Sequence, residues 1–273
     1  MLRVATYNIA HGRGGALGAS NWTGRSRKRI VEHLRSIGNL IKEQRLDFIV
    51  LNEVDFSSAW SRHLNQARII AEEAGFPYVA EQRSIDVAFP LVRFQFGNAL
   101  LSKYPIADVE FVEFPPLSIR EKRLAGNHDA LLAVLDTPSG FLRVLAVHLE
   151  VRDEGTRVRC SERVGRIVEE TCGPILVLGD FNSAPGGYPG HHTDERGRNA
   201  IDRLLLSGLF PAGPLPPDND EYLSFPSAAP DRAIDWIFAA GECEIRNQSV
   251  VDSKLSDHLM VVADVAVPLP PDR

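Results

Sequence analysis

The sequence predicts an α/β fold in which a sheet core is covered by helices. Eight apolar runs have the length and the Val, Ile, Leu and Phe content of strands, and several are continuous, which is typical of strands buried on both faces. Stretches with helical spacing lie between them. The chain has 273 residues, 44% of them hydrophobic, enough to bury a sizeable core. We expect a single domain over residues 1–273, because no linker or repeat divides the chain.

Turn residues or a short motif bound each predicted strand. The strands are predicted over residues 3–9, 47–52, 98–102, 129–136, 142–149, 175–179, 234–239 and 259–267. Ile30, Leu34, Ile37 and Ile41 repeat at intervals of three and four, which predicts a helix. Residues 60–74 and 157–171 repeat that pattern. Residues 185–198 and 211–230 are predicted to be long surface loops, which often form the rims of functional sites.

Charge and composition exclude some classes of protein. The chain carries 30 basic and 36 acidic residues, a net charge of -6, whereas a protein that binds nucleic acid mainly through phosphates usually has a basic surplus. The strongest basic cluster, residues 25–29, opens a predicted helix and is interpreted as a solvated face. The three cysteines show no CxxC spacing and are expected to be reduced. No apolar run approaches the ~18 residues of a membrane span, and no secretory signal precedes the first strand, so a cytoplasmic location is expected.

Polar residues interrupt the apolar runs at the ends of the predicted strands. They are Asn8, Glu53, His148, Asp180, Asn182, Asp235, Asp257 and His258. Such endings converge where several strands finish at one edge of a sheet, and carboxylates there bind cations, handle protons or cap turns. Asp180 and Asn182 are two residues apart, so an extended backbone would point both to one side. The alternative for this pair is a turn in which the aspartate bonds to the backbone.

Seven motifs occur in the order found in the endonuclease/exonuclease/phosphatase superfamily, which the chain resembles from about residue 3 to residue 267. They are TYN (6–8), NEVD (52–55), GNALLS (97–102), VHL (147–149), GDFN (179–182), IDWI (234–237) and SDH (256–258). The resemblance implies a four-layered α/β sandwich, in which two mixed, mostly antiparallel sheets pack face to face with helices outside. It also implies divalent-metal-dependent hydrolysis of a phosphoester by in-line attack of an activated water.

The resemblance also implies roles for residues near the metal. Glu53 corresponds to the principal ligand of Mg²⁺ or Mn²⁺, and a carboxylate suits these hard cations. Asn8 and Asp257 are expected close to that metal, directly or through water. Asp180 corresponds to the residue that orients or deprotonates the attacking water, and Asn182 to one that holds a phosphate oxygen or that water.

Other residues are implied to surround the phosphate. His148 is expected to contact it and to form a wall with Asp235, although a buried structural histidine is the alternative. His258 is expected to be an imidazolium that stabilises phosphoryl charge, with Asp235 or Asp180 as its carboxylate partner. Asn98 and Arg123 are expected to bind phosphate, with a solvated surface charge as the alternative for Arg123. The loop at residues 12–15 lacks the Lys-Ser/Thr of a P-loop and is interpreted as an active-site rim.

The predicted function is therefore that of a Mg²⁺- or Mn²⁺-dependent phosphoric ester hydrolase. Acidity and the absence of a basic tail favour a small or lipid-derived phosphoester as the substrate, and an endonuclease or exonuclease acting on DNA or RNA is the alternative. A catalytically silent binding protein of the same fold is less well supported, because the acidic, amide and histidine residues of the motifs are all present. The sequence leaves the oligomeric state open.

Overall fold

Two β-sheets lie face to face at the centre of the protein, and helices cover both outer faces. The structure is a computed structural model that describes residues 1–22, 24–89, 92–115, 129–210 and 222–268. The first sheet has the order β10-β11-β1-β2-β4-β3 and the second the order β5-β6-β7-β8-β9. The first comprises β1 (Leu2–Asn8), β2 (Phe48–Asp55), β3 (Tyr78–Phe89), β4 (Val92–Ser102), β10 (Glu244–Val251) and β11 (Met260–Ala266). The second comprises β5 (Ile106–Glu113), β6 (Asp129–Thr137), β7 (Gly140–His148), β8 (Ile175–Asp180) and β9 (Asp235–Ala240).

Only two strand pairs in these sheets are parallel, β1 with β2 and β7 with β8. The other described pairs are antiparallel. On the first sheet lie α1 (Arg27–Glu43) and α2 (Gln66–Ala74), and on the second lie α3 (Glu154–Glu170) and α4 (Ala200–Leu206). The predicted four-layered α/β sandwich with mixed, mostly antiparallel sheets is confirmed.

Three apolar cores separate the four layers, and this explains the continuous apolar runs. Along β2, Phe48 and Val50 point into the core between the sheets, whereas Ile49 and Leu51 point into the core beneath α1 and α2. Because successive side chains of a strand point to opposite faces, a strand covered on both faces is apolar at every position. The central strands therefore read as uninterrupted hydrophobic sequence.

Three strands that the sequence did not predict lie at the edges of the sheets. β3 and β10 are the outer strands of the first sheet, and β5 is an outer strand of the second. Most side chains of β5 and β10 are at least partly exposed. Edge strands carry polar residues that discourage pairing with other chains, so their apolar signal is weak.

The helix predictions hold except at one N-terminus and for one short helix. α1 begins after Ser26, whose side chain accepts a hydrogen bond from the Arg29 amide, and it buries the apolar stripe that predicted it. The prediction of helix from residue 60 was wrong in its first part, because α2 begins only after its cap, Asn65. The seven-residue α4 was not predicted.

Of the two predicted long loops, the one at residues 185–198 is confirmed. No helix or strand lies within residues 185–198, whereas residues 211–221 of the second predicted loop lie outside the described part. Among the described residues, no helix has both the length and the hydrophobicity needed to cross a membrane.

Candidate active site

The residues that end the apolar runs meet at one end of the two sheets. β7 and β8 are parallel and finish together, where the register pairs His148 with Asp180. β9 is antiparallel to β8 and starts at this end, with Asp235 opposite Asp180. From the other sheet, the Asn8 side chain at the end of β1 donates to Asp180 Oδ2 over 3.0 Å. His258 lies two residues before β11, so both sheets contribute side chains to one site.

A break in the pairing of β2 turns Glu53 towards this site. The register between β2 and β4 shifts between Leu51 and Val54, and Glu53 has a φ of 51°. A β-bulge leaves a residue unpaired and redirects its side chain, and bulges are common beside active sites. Ala10, His11 and Asn182 also have positive φ, so four of the eight such non-glycine residues among the described ones lie at this site. Backbone strain of this kind concentrates at functional sites.

Glu53 is held as a carboxylate by its neighbours. Its Oε1 accepts from Asn8 Nδ2 at 3.3 Å, and its Oε2 lies 3.5 Å from His11 Nε2 and 3.9 Å from Arg13 Nη1. Burial alone would raise the pKa of Glu53, but the positive charges around it, His11 first and His148 next, lower its pKa to about 2. The side chain keeps 25% of its surface exposed, so an ionised oxygen donor faces the cavity.

A histidine–carboxylate pair, His11 with Asp55, lies against Glu53. His11 Nδ1 lies 2.9 Å from Asp55 Oδ1, and Trp60 Nε1 donates to the other oxygen of Asp55 at 2.8 Å. Burial opposes protonation of His11, but the hydrogen bond to Asp55 and the charge of Glu53 outweigh it and raise the pKa of His11. The left-handed turn at residues 10–12 therefore places the His11 imidazole against Glu53.

Asp180 is a buried carboxylate at the floor of the site. Its Oδ1 accepts from the Asn182 amide at 2.8 Å, which forms the aspartate turn considered from the sequence. β8 ends at Asp180, so Asn182 lies beyond the extended backbone of the strand. The side chains of Asp180 and Asn182 nevertheless both line the cavity. Burial, followed by the charge of Asp235, raises the pKa of Asp180. A carboxyl whose pKa is moved towards neutrality suits general acid–base chemistry.

The glycine before Asp180 allows two strands to approach closely. Gly179 has a φ of 152°, and a Cβ atom there would lie 1.9 Å from the Val147 carbonyl oxygen on β7. Only glycine avoids this clash. The GDFN sequence thus combines a packing requirement with two polar side chains.

An amide network inside the protein fixes Asp180 from the first sheet. Asn52 Oδ1 accepts from the Asp180 backbone N–H at 3.0 Å, and Asn52 Nδ2 donates to the Val147 carbonyl at 2.9 Å. Asn52 Nδ2 also donates to Asn98 Oδ1 at 2.8 Å, and Asn98 Nδ2 donates to Gln82 Oε1 at 2.8 Å. Asn52 and Asn98 are fully buried, so these bonds join the two sheets beneath the site.

His258 and Asp235 form the principal charge pair of the site. His258 Nδ1 lies 2.9 Å from Asp235 Oδ2, and the Nε2 edge of the ring lies 3.8 Å from Asp180 Oδ2. Ser224 Oγ donates to the same Asp235 oxygen at 2.7 Å. Burial opposes the imidazolium, but Asp235 and then Asp180 outweigh burial and raise the pKa of His258 to about 10. The raised pKa favours the imidazolium form of His258, and Asp235 is the closer of its two carboxylate partners.

His148 and Asp257 complete the cavity with a more exposed imidazole and an ion pair. His148 Nε2 lies 3.7 Å from Asp180 Oδ2, and 27% of the His148 side chain is exposed. Arg13 Nη2 donates to Asp257 Oδ2 at 2.9 Å. Together with Glu53 these side chains border a cavity of about 560 Å³. The loop at residues 12–15 thus contributes Arg13 to the site, in agreement with its interpretation as a rim.

A family model described as Endonuclease/Exonuclease/phosphatase family matches residues 5–258. This chain belongs to the endonuclease/exonuclease/phosphatase family. Members of the family are in general phosphoester hydrolases, which makes this the activity class that membership indicates. No curated protein matches the sequence.

Solved structures of the endonuclease/exonuclease/phosphatase family share the fold over nearly the whole chain. A family protein from Beutenbergia cavernae is 22% identical, with a TM-score of 0.66 over 98% of this chain and 72% of that chain. A mannosyl-6-phosphatase from Bacteroides thetaiotaomicron is 13% identical, with a TM-score of 0.68 over 97% and 100%. Sphingomyelinase C from Streptomyces griseocarneus is 17% identical, with a TM-score of 0.61 over 96% and 98%. At these identities the likeness establishes the fold.

Two of the expectations drawn from this family, those for Asn98 and Asp235, need correction on geometric grounds. Asn98 does not face the cavity, because its amide oxygen and nitrogen are both bonded inside the protein, so direct phosphate binding is not supported. Asn8 is fully buried, its amide oxygen accepts from the Ala10 amide and its Nδ2 lies 3.3 Å from Glu53 Oε1, so it lies beside the expected metal ligand and its closeness to a metal stays a prediction. Asp235 is buried against His258 rather than forming a cavity wall with His148. Arg123, the other expected phosphate ligand, lies outside the described residues.

Two residues that were not predicted from the sequence, His11 and Arg232, line the cavity. His11 follows the TYN motif by three residues, and its proximity to the end of β1 was the available signal. Arg232 lies three residues before Asp235, and its guanidinium stacks 4.7 Å from the centre of the Phe225 ring. Arg232 therefore supplies a cation to the cavity.

Proposed function

We propose that this protein is a divalent-metal-dependent hydrolase that cleaves a small or lipid-derived phosphoester by in-line attack of water. One observation carries the proposal. Asp180, a buried carboxyl whose pKa is raised, lines the same cavity as the ionised Glu53 and lies within 4 Å of the imidazole nitrogens of His148 and His258. A base, a cation-binding carboxylate and cationic donors are the groups that phosphoryl transfer requires.

Asp180 is proposed to take the proton of the attacking water. The carboxylate is fixed from three sides, by Asn8, by the Asn182 amide and by the bond from its own backbone to Asn52. Its oxygen atoms therefore keep one orientation, and positioning of this kind accounts for much of the rate gain in phosphoryl transfer. As the water oxygen bonds to phosphorus, the bond to the leaving oxygen breaks, that oxygen takes up a proton from solvent, and Asp180 releases its proton to solvent.

His258, His148 and Asn182 are proposed to stabilise the phosphoryl oxygens. His258 is kept protonated by Asp235, so it presents a positive N–H group in a water-poor site where charge interactions are strong. Asn182 Nδ2 donates to the Leu149 carbonyl at 2.9 Å, which holds this amide at the cavity wall. His148 lies on the wall formed by the end of β7.

The donor set suits Mg²⁺ or Mn²⁺ at Glu53. Mg²⁺ in phosphoryl-transfer sites takes one or two carboxylates, and its other ligands are water and substrate oxygens. Glu53 is ionised and faces the cavity, and Asp257 lines the same cavity beside Arg13. Asp180, Asp235 and His258 also have ligand atoms within 4.8 Å of one another, but the imidazole there is already bonded to Asp235. When bound, the ion supplies Lewis-acid stabilisation of the phosphoryl oxygens.

The preference for a small or lipid-derived substrate rests on charge and on similar structures. A net charge of -6 does not favour a long polyanion. The similar structures include one named as a phosphatase of a mannosyl phosphate and one named as a sphingomyelinase. Both names concern phosphoesters other than nucleic acids.

A screen of metals and substrates tests the proposal. EDTA is expected to abolish hydrolysis, and Mg²⁺ or Mn²⁺ to restore it, on phosphomonoesters, phosphodiesters or lipid phosphoesters. Duplex DNA and RNA belong in the same screen at several salt concentrations. Cleavage of DNA whose binding falls with a log–log slope of about -0.9 per neutralised phosphate would identify a nuclease instead. Undiminished hydrolysis in EDTA would disprove the metal requirement.

A further inference from the structure

Five aromatic rings pack side by side from the cavity to the protein surface. This aromatic ladder comprises His11, Trp22, Trp60, Phe94 and Phe96. Neighbouring ring centres are 4.6 to 6.4 Å apart. His11 and Phe96 line the cavity, and His11 contacts Glu53. The ladder therefore leads directly from the catalytic carboxylates to solvent.

The outer end of the aromatic ladder forms an open corner. Trp22 stands at 87° to Trp60 and at 85° to Phe94, whereas Trp60 and Phe94 are inclined by only 37°. Trp22 is 62% exposed, and Leu17 on the same segment lines the cavity and is 58% exposed. Aromatic rings associate both by offset stacking and by edge-to-face contact, and this corner offers a surface for each.

Part of the cavity lining joins the aromatic ladder. Phe96 belongs to both, and Ile85 pairs with Phe96 across β3 and β4. Leu17, which also lines the cavity, comes five residues before Trp22 in the chain. With a phosphoryl group at the carboxylates, His148 and Asn182, a group esterified to it can lie along these apolar side chains towards the corner at Trp22.

We propose that the aromatic ladder is a leaving-group subsite for a flat, apolar ring, so that the substrates are phosphoesters of ring-bearing alcohols. The proposal rests on the proposed function, because it assigns the substrate class of the same cavity. A ring matches the corner better than an alkyl chain does, since it can stack on one ladder ring while it meets another edge-on.

Binding of two phosphonates that the enzyme cannot hydrolyse tests the subsite without turnover. Calorimetry would compare 2-naphthylmethylphosphonate with methylphosphonate on the wild type, on Trp22→Ala and on Trp22→Phe. We expect the naphthyl compound to bind about tenfold more tightly, Trp22→Ala to remove most of that preference and Trp22→Phe to retain it. Phe141→Ala is the matched control, because Phe141 is 60% exposed near the opposite end of β7. The control is expected to keep the wild-type preference.

Two results would overturn the subsite: equal affinity of the wild type for both phosphonates, and a preference that Trp22→Ala does not change. In the second case, a loss of binding to phosphatidylcholine vesicles in Trp22→Ala would make the ladder a lipid contact. Failure of the proposed function is separate: a ring preference without any hydrolysis would support the subsite, whereas hydrolysis without a ring preference would refute it.

Discussion

Replacing Asp235 by Asn should change the charge of His258 without altering the shape of the site. Asp235 is buried, and its Oδ2 accepts from His258 and from Ser224. Asparagine keeps the size of the side chain but removes the negative charge. Burial of His258 remains in the variant, and burial favours the neutral ring. We therefore expect the pKa of His258 to fall steeply in Asp235→Asn.

The magnitude follows from the wild-type pKa of His258. A rise from 6.5 to about 10 corresponds to on the order of 5 kcal/mol in favour of the folded imidazolium. Because the folded pKa lies above the unfolded one, this contribution to stability is complete below pH 6.5 and is lost as the pH rises to about 10. Asp235→Asn removes the largest favourable part of it. The variant should unfold at a lower temperature at neutral pH, and kcat should fall by about 10²-fold or more.

Three measurements test this reasoning on the same variant. NMR titration of His258 in metal-free protein gives its pKa, and calorimetry gives the unfolding temperature. In the pH profile of kcat, the variant should lose activity at a lower pH than the wild type does. Asp136→Asn makes the same chemical change at an exposed position and serves as the control. An unchanged pKa of His258, or a variant with the wild-type kcat and pH profile, would refute the role assigned to the pair.

Further substitutions test the floor of the site. Glu53→Gln should weaken Mg²⁺ binding in calorimetry while the far-ultraviolet circular dichroism stays the same, and an unchanged affinity would contradict the metal assignment. Asn52→Ala leaves the Asp180 amide and the Val147 carbonyl without their partner, so the free energy of unfolding in urea should fall by about 2–3 kcal/mol; a change within error would show that the network is dispensable. Gly179→Ala places a methyl group against the Val147 carbonyl and should lower the melting temperature more than Asn52→Ala does; normal stability would show that β7 and β8 can separate at no cost.

The sequence by itself determined the fold class and indicated most of the residues that meet at the cavity. Strands covered on both faces must be apolar at every position, so the central strands were visible as continuous runs. The same runs made four polar residues visible, because each lies at one end of an apolar run: Glu53, His148, Asp180 and His258. Edge strands such as β5 have no such signal, since their outer side chains meet water.

Only the tertiary structure decided which groups touch. Asn52 and Asp180 are 128 residues apart in the chain, yet their hydrogen bond joins the two sheets and fixes the backbone that carries the Asp180 carboxylate. Asn98 was predicted to bind phosphate, but its amide oxygen and nitrogen are hydrogen-bonded to Asn52 and Gln82 within that network. His11 and Arg13 became part of the site through a left-handed turn, and Glu53 was turned towards it by a bulge; both features depend on backbone angles rather than on hydrophobic pattern. Patterning records whether a side chain is buried, whereas partners, pKa shifts and the aromatic ladder arise from contacts between segments that are distant in sequence.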